Sequence, residues 1–176
     1  EGKVSNFLHD HFSVGDQFEV TAPAGNFTVK AEEETSVHFI AGGIGITPFM
    51  SIIHEMAAKN SGRHITLAHA VRNATVQAFK EELASLQERM PNMQLSHFYG
   101  ELQSGQQLNE NEHEGRIDEK YLKGIAGKGE ALYAVCGPVT FMQEIITSLK
   151  KAGVRDDQIK YEFFGPSVAM ENEKAV

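Results

Sequence analysis

The apolar positions change period along this chain, and the changes divide it into elements. After residue 36, five short runs rich in β-branched and aromatic residues read as strands: "VHFIA" 37–41, "HITLAHA" 64–70, "MQLSHFY" 93–99, "ALYAVC" 131–136 and "IKYEFF" 159–164. Between most of them the period lengthens to that of a helix. Phe49, Ile52, Ile53 and Met56 fall at i, i+3, i+4 and i+7, which puts one apolar stripe on one face. Pro48 suits the first turn of that helix, where its missing N–H costs nothing. A second helix is expected over Val76 to Arg89, with Phe79, Leu83 and Leu86 on one side and Glu81, Glu82 and Glu88 elsewhere. A third follows Pro138 and carries Phe141, Met142, Ile145, Ile146 and Leu149. Strand–helix alternation with short connections predicts right-handed βαβ units: an α/β fold with a five-stranded, parallel, doubly wound sheet.

Residues 1–30 follow another pattern. "VSNFLHDH" predicts a short helix, and "GDQFEVTAPAGNFTV" predicts two strands around the turn "PAGN". That is too little for an independent core. The acidic, turn-like "AEEETS" at 31–36 marks the boundary, so the expected division is 1–33, 34–170 and a tail, 171–176.

Composition narrows the functions open to such a fold. The 176 residues are 41% hydrophobic and 23% charged, ordinary for a globular protein, and no apolar run has the length a membrane span needs. A net charge of -8 without any Lys/Arg cluster argues against nucleic acid as a partner. Cys136 is the only cysteine, which excludes an internal disulfide and any multi-cysteine metal site and fits a reducing compartment, by default the cytoplasm. "HDH" at 9–11 spaces its histidines two apart, on different faces of a helix, so no metal is expected there. The chain opens "EGKVSNFLHD" with neither signal peptide nor initiator methionine, the expectation for a piece of something longer. "QSGQQLNENEHEG", 103–115, reads as a polar surface loop.

The candidate chemistry sits in three turns. "AGGIGITPF", 41–49, ends a strand in glycines and opens a helix, the usual way to bring backbone N–H groups to a phosphate. No Lys-Ser/Thr follows, so it is not a P-loop. Pro48 stands where a Rossmann fingerprint has its third glycine, and "HAVRN" ends the second strand without an acid. A plain tight connection explains a lone G-x-G equally well. "YAVCGPVTFM", 133–142, repeats the geometry, with Gly137-Pro138 starting a helix at the carboxyl end of another strand, the edge where open α/β sheets bind ligands. "YEFFGP", 161–166, ends the last strand with a carboxylate, two aromatics and a Gly-Pro turn.

In that order and spacing, "GGIGITP", "CGP" and "YEFFGP" resemble the ferredoxin–NADP reductase superfamily, and within it the reductase part of flavohemoglobins, the bacterial and fungal nitric oxide dioxygenases. The resemblance runs from "GKVSNFLHDHFSVGD" through "APAGNF" to "FFGP". It implies an NAD(P)-binding domain preceded by a remnant of an antiparallel β-barrel flavin domain. It further implies that Gly42, Gly43, Ile44, Gly45, Ile46 and Thr47 cradle the pyrophosphate of a nicotinamide dinucleotide, with Thr47 near the nicotinamide and Gly137 and Pro138 forming a second ligand-facing turn. Cys136 would lie beside the carbon that gives up hydride and Glu162 close to the same reacting pair. Phe163, Phe164, Gly165 and Pro166 would cover the flavin ring, and the backbone at Lys3, Val4 and Ser5 would contact the FAD pyrophosphate. Strand alternation turns Phe163 inward.

The implied activity is hydride transfer from NAD(P)H, NADH being favoured, to FAD and then of electrons to haem. In such a step a protein supplies orientation and a dry slot. Against these roles stand plainer ones: Cys136 as a small buried hydrophobe, Glu162 as a solvated strand-end charge, Phe163 and Phe164 as core. Arg72 reads equally as a contact to an adenosine phosphate or as a solvated loop residue. The family's upstream Arg-x-Tyr-Ser flavin motif is not in this sequence, nor is a globin domain with its haem ligand, and "SVAMENEKAV" runs past the usual end of flavohemoglobins. FAD and haem are therefore expected only in an intact parent, the isolated chain being inactive. The other reading is a stand-alone nicotinamide-nucleotide-binding or regulatory module without redox turnover. Phe18, Val20, Phe27 and Val29 would face the interior of the missing barrel, so self-association through residues 1–30, or their docking on the nucleotide domain, is expected.

Overall fold

The computed structural model describes residues 2–163 apart from Pro23, Glu32, Glu34 and Lys128. In chain order the elements are α1 (Lys3–His11), β1 (Ser36–Gly42), a 3-10 turn (Gly43–Ile46), α2 (Thr47–Ala58), β2 (Ile65–Val71) and a second 3-10 turn (Ala74–Val76). Then come α3 (Lys80–Arg89), β3 (Met93–Tyr99), β4 (Glu112–Glu114), α4 (Glu119–Ile125), β5 (Ala131–Gly137), α5 (Val139–Lys151), a third 3-10 turn (Asp156–Gln158) and β6 (Ile159–Phe163).

A parallel strand covered on both faces needs apolar residues on both, and β1, β2 and β5 supply them, each with one residue short of full burial. Along β1, Val37, Phe39 and Ala41 face one apolar cluster, with Phe49, Ile53 and Met56 of α2 and Leu83 and Leu86 of α3. Ile40 faces the other, with Met142, Ile145 and Leu149 of α5 and Leu122 of α4. Helices on both sides of one sheet make the doubly wound architecture.

The sheet has six strands, not the five expected, all parallel, in the order β4-β3-β2-β1-β5-β6. The chain winds outward from β1 through β2, β3 and β4, then returns to β5 on the opposite side of β1. The direction of winding thus reverses between β1 and β5.

The sixth strand, β4, lies within the stretch that reads as a surface loop. Its three residues are Glu-His-Glu, without an apolar signal, and tertiary contacts form it. The Glu112 carboxylate is buried against β3 and α3: Lys80 Nζ donates to its Oε1 at 3.1 Å, and the Tyr99 hydroxyl lies 2.9 Å from the same atom. His113 stacks on Phe98 with ring centroids 4.6 Å apart. Helix α3 also begins later than expected. Asn73 Oδ1 accepts from Thr75 N at 3.2 Å and caps the short turn before it, and Phe79 adopts φ 60, which redirects the chain before Lys80. Phe79 is therefore 37% exposed instead of joining Leu83 and Leu86.

The expected pair of N-terminal strands is absent among the described residues of 12–35. Alternating apolar residues make a strand only when a neighbour pairs with its N–H and C=O groups, and here none does. Phe27, Val29 and Ala31 instead pack into the cluster on the α2 side. Burying a valine is worth about 1.5–3 kcal/mol, and Val29 adds that to the strap's hold on the sheet. Four of the strap's carbonyls also have donors. Arg63, its side chain fully buried, donates from Nη1 to Lys30 O at 2.7 Å and from Nε to Thr35 O. Ser61 Oγ donates to Ala31 O at 2.7 Å and Lys160 Nζ to Thr28 O at 2.9 Å. Helix α1 buries none of its residues, and Phe7, Phe12 and Phe18 pack on one another instead. No helix among the described residues is long and apolar enough to cross a membrane.

A polar network supports β3. His97 Nδ1 lies 2.9 Å from Gln77 Nε2, and Gln77 Oε1 lies 2.7 Å from the Tyr99 hydroxyl. Burial first, then the neighbouring His69, pushes His97 down from 6.5 to about 4. The unfolded chain then binds a proton near pH 6.5 that the folded chain refuses until about pH 4, so stability falls as pH drops through that window. We expect the urea midpoint to decline between these pH values and His97→Gln to flatten the decline.

Candidate functional site

At the carboxyl ends of β1 and β5 two backbones meet without side chains between them. A Cβ on Gly45 would sit 2.5 Å from Cys136 O and 2.7 Å from Gly137 Cα. One on Gly42 would meet the Phe141 ring at 2.8 Å, and one on Gly137 would lie 3.0 Å from Gly42 Cα. Two of the three glycines of "GGIG", Gly42 and Gly45, are thus required by packing. Gly43 differs: its φ is 55, and a Cβ there would meet nothing within 4 Å. It faces open space at the mouth of the turn.

The chain passes from the 3-10 turn directly into α2, with no side-chain cap at Ile46 and Pro48 in the first turn. The first N–H groups of such a turn have no partner within it, and they gather at the positive end of the α2 dipole. Thr47 Oγ1 donates to Ile44 O at 3.1 Å and steadies the junction. The loop is also held from below: His69, without exposed surface, contacts Gly43 O through Nε2 at 2.9 Å. Pro138 begins α5 beside this turn, again without a side-chain cap.

Both turns border a cleft of about 420 Å³ at the winding reversal, lined among others by Gly42, Gly43, Arg72, Arg116, Pro138 and Glu144. Each arginine has a carboxylate partner: Arg72 Nε lies 3.2 Å from Glu101 Oε2, and Arg116 Nη1 lies 3.4 Å from Glu144 Oε2. A second opening, about 440 Å³, lies between Asn26 and Phe27 of the N-terminal strap and Lys160 to Phe163 of β6.

Cys136 and Glu162 are register partners on β5 and β6. The thiol has no exposed surface, and burial, then the Glu162 charge, pushes it up from 9.0 to about 11. It is a neutral thiol at physiological pH. Phe163 packs against the cluster on the α5 side. The fold brings Gly42–Thr47, Cys136–Pro138 and Glu162–Phe163 to one edge of the sheet. Lys3, Val4 and Ser5 form the exposed first turn of α1, which no buried contact ties to that edge. Phe164, Gly165 and Pro166 lie outside the described residues.

Sequence reasoning missed His69, Arg116, Glu144 and the role of Phe141. A histidine inside the apolar run "ITLAHAV" was the available signal for the first; Phe141 was visible only as one member of a helical stripe.

A parallel sheet with paired glycine turns at its winding reversal defines a dinucleotide-binding α/β domain. The chain belongs to the oxidoreductase NAD-binding domain family, whose model matches residues 39–146. It is 40% identical over 167 residues to a flavohemoprotein of Halalkalibacterium halodurans, covering 94% of this chain and 41% of that one. A Bacillus cereus flavohemoprotein is 36% identical over 172 residues, covering 97% and 43% respectively. The chain thus spans less than half the length of these relatives. Among solved structures it resembles the flavohem-like FAD/NAD-binding domain of nitric oxide dioxygenase from Vibrio cholerae O1 biovar El Tor. The TM-score is 0.78 at 30% identity, over 94% of this chain and 65% of that one.

The two kinds of glycine separate by substitution. Gly45→Ala forces the α2 turn off β5 and should cost about 1–3 kcal/mol in urea unfolding. Gly43→Ala, free of clashes, should cost about 1–2 kcal/mol for its left-handed backbone while leaving the sheet intact by circular dichroism.

Proposed function

We propose that this chain is the NAD(P)H-binding reductase module of a flavohemoglobin-like nitric oxide dioxygenase, passing hydride from NAD(P)H to FAD and electrons onward to haem in the longer parent. The observation that carries the reading is the meeting of Gly42–Thr47 and Gly137–Pro138 beside one cleft at the winding reversal. Family membership and the flavohemoprotein relatives support it.

In this reading, backbone N–H groups of Gly43 to Ile46 hold the pyrophosphate and the α2 dipole favours its charge. The open face of Gly43 leaves room for that approach. The adenosine end lies in the cleft by Arg72 and Arg116. Because Glu101 and Glu144 already pair with those guanidiniums, an added 2′-phosphate meets carboxylates as well as cations, and NADH is favoured over NADPH. Thr47, Cys136 and Glu162 would border the nicotinamide. When bound, the nicotinamide supplies a hydride that the flavin ring accepts. Cys136, held neutral, contributes a small apolar floor at the carboxyl end of β5, and Glu162 sits where it can hold a proton near the reacting rings. Phe163, with Phe164, Gly165 and Pro166, excludes water from the flavin side. Lys3, Val4 and Ser5, at an exposed helix start, present N–H groups to the FAD pyrophosphate.

Residues 1–33 belong by descent to the flavin domain and 34–170 to the nucleotide domain, with 171–176 a tail. The exposed Val4, Phe7, Phe18 and Val20 meet the rest of the flavin domain in the parent, and in its absence a second copy of this chain. Cytoplasmic location accords with the neutral, unpaired Cys136 thiol.

The chain alone should bind NADH, measured by calorimetry, yet purify colourless and show no ferricyanide reduction with added FAD and NADH beyond the free-flavin blank. Absence of NADH binding would overturn the nucleotide assignment. Turnover well above the blank would mean that a complete flavin site lies within these residues. In the parent, Cys136→Ser should slow flavin reduction more than it weakens NADH binding; equal losses would remove it from the reacting centre.

A further inference from the structure

His69 is a polar side chain that reaches the glycine turn from inside the sheet. It stands on β2, where its register partners are Ala41 on β1 and His97 on β3, and it has no exposed surface. Its Nε2 lies 2.9 Å from Gly43 O. A carbonyl only accepts, so Nε2 carries the proton and Nδ1 is a bare acceptor. That Nδ1 is buried and has no hydrogen-bond partner among the described residues. A buried acceptor without a partner costs free energy. The imidazole is therefore a poor choice for packing alone, and the hydrogen bond it makes among the described residues is with the turn.

The consequence lies in the peptide that follows. No cis peptide bond occurs among the described residues, so the planar Gly43–Ile44 unit holds its C=O and its N–H in opposite directions. With the carbonyl drawn inward onto His69, the Ile44 N–H points away from His69, on the turn whose Gly43 lines the cleft. Gly43 at φ 55 is the residue that lets the chain make this turn. Were the carbonyl released, the peptide could rotate and present oxygen, not N–H, to an arriving anion.

We infer that His69 is a positioning residue: by holding the Gly43 carbonyl it aims the Ile44 N–H at the pyrophosphate of the bound dinucleotide. This rests on the nucleotide reading above and adds to it a residue that never touches the ligand. Burial keeps the imidazole neutral, in keeping with one donor and one bare acceptor.

The test uses ADP-ribose, which carries the pyrophosphate without redox chemistry. Calorimetric titration should give the parent chain a measurable Kd. His69→Leu, which fills the space without a donor, should bind roughly tenfold more weakly, and His69→Gln, which restores an N–H, should return to within about twofold of the parent. In ¹⁵N-labelled parent protein the Ile44 amide should move on addition of ADP-ribose, a readout independent of any variant. A leucine variant that binds like the parent, a glutamine variant as weak as leucine, or an unmoved Ile44 amide would each overturn the inference while leaving nucleotide binding in place. A parent chain that binds no ADP-ribose would overturn the nucleotide reading itself, and this inference with it.

Discussion

Two backbones approach only as closely as their side chains permit, and at the carboxyl ends of β1 and β5 this chain has removed the side chains. Gly42, Gly45 and Gly137 let the 3-10 turn that leads into α2 rest on the backbone of Cys136 and Gly137, with the Phe141 ring closing over two of them. Everything at the site follows from that contact. It sets where α2 and α5 begin, so two helix starts converge on one edge. It also leaves Gly43, the remaining glycine of the run, as the residue that faces outward. The glycines of a phosphate-binding turn thus divide between those needed for the fold and the one available to a ligand.

A second constraint is the treatment of polar groups inside the sheet. His97, Gln77, Tyr99, Glu112 and Lys80 form a connected set that links β3 to the start of α3 and to edge strand β4. Low dielectric makes such a set costly when broken and directional when intact. It explains why a segment as polar as Glu-His-Glu joins the sheet at all, since the Glu112 carboxylate has its partners only in that position.

The same contrast explains what could be read from the sequence. Strands β1, β2, β3, β5 and β6 and helices α2 and α5 were legible because burial writes itself into apolar periodicity. The turns after β1 and β5 were legible because Gly and Pro at strand ends have few other uses. Strand β4 was not, because its stability lies in partners more than ten residues distant in sequence, such as Lys80. The alternation of Phe18, Val20, Phe27 and Val29 misled for the opposite reason: the pattern of a strand is present, but no backbone among the described residues pairs with it. His69 escaped because a lone histidine in a strand carries no periodic signal, and its partner, a main-chain carbonyl, leaves no mark on the sequence.

The strap from Phe27 to Thr35 bears on how force would pass through a larger protein. Three of its carbonyls are gripped by Arg63 and Ser61 and another by Lys160, while Val29 and Ala31 are sunk in the core. The acidic turn around residue 33 therefore lies within, and not before, the stretch that is anchored to the sheet: the described residues of 27–35 are held to it by these contacts. Gly25, at φ 117 and with open space where a side chain would stand, lies where the chain enters this anchored strap, so a turn in backbone direction at that point meets no steric cost.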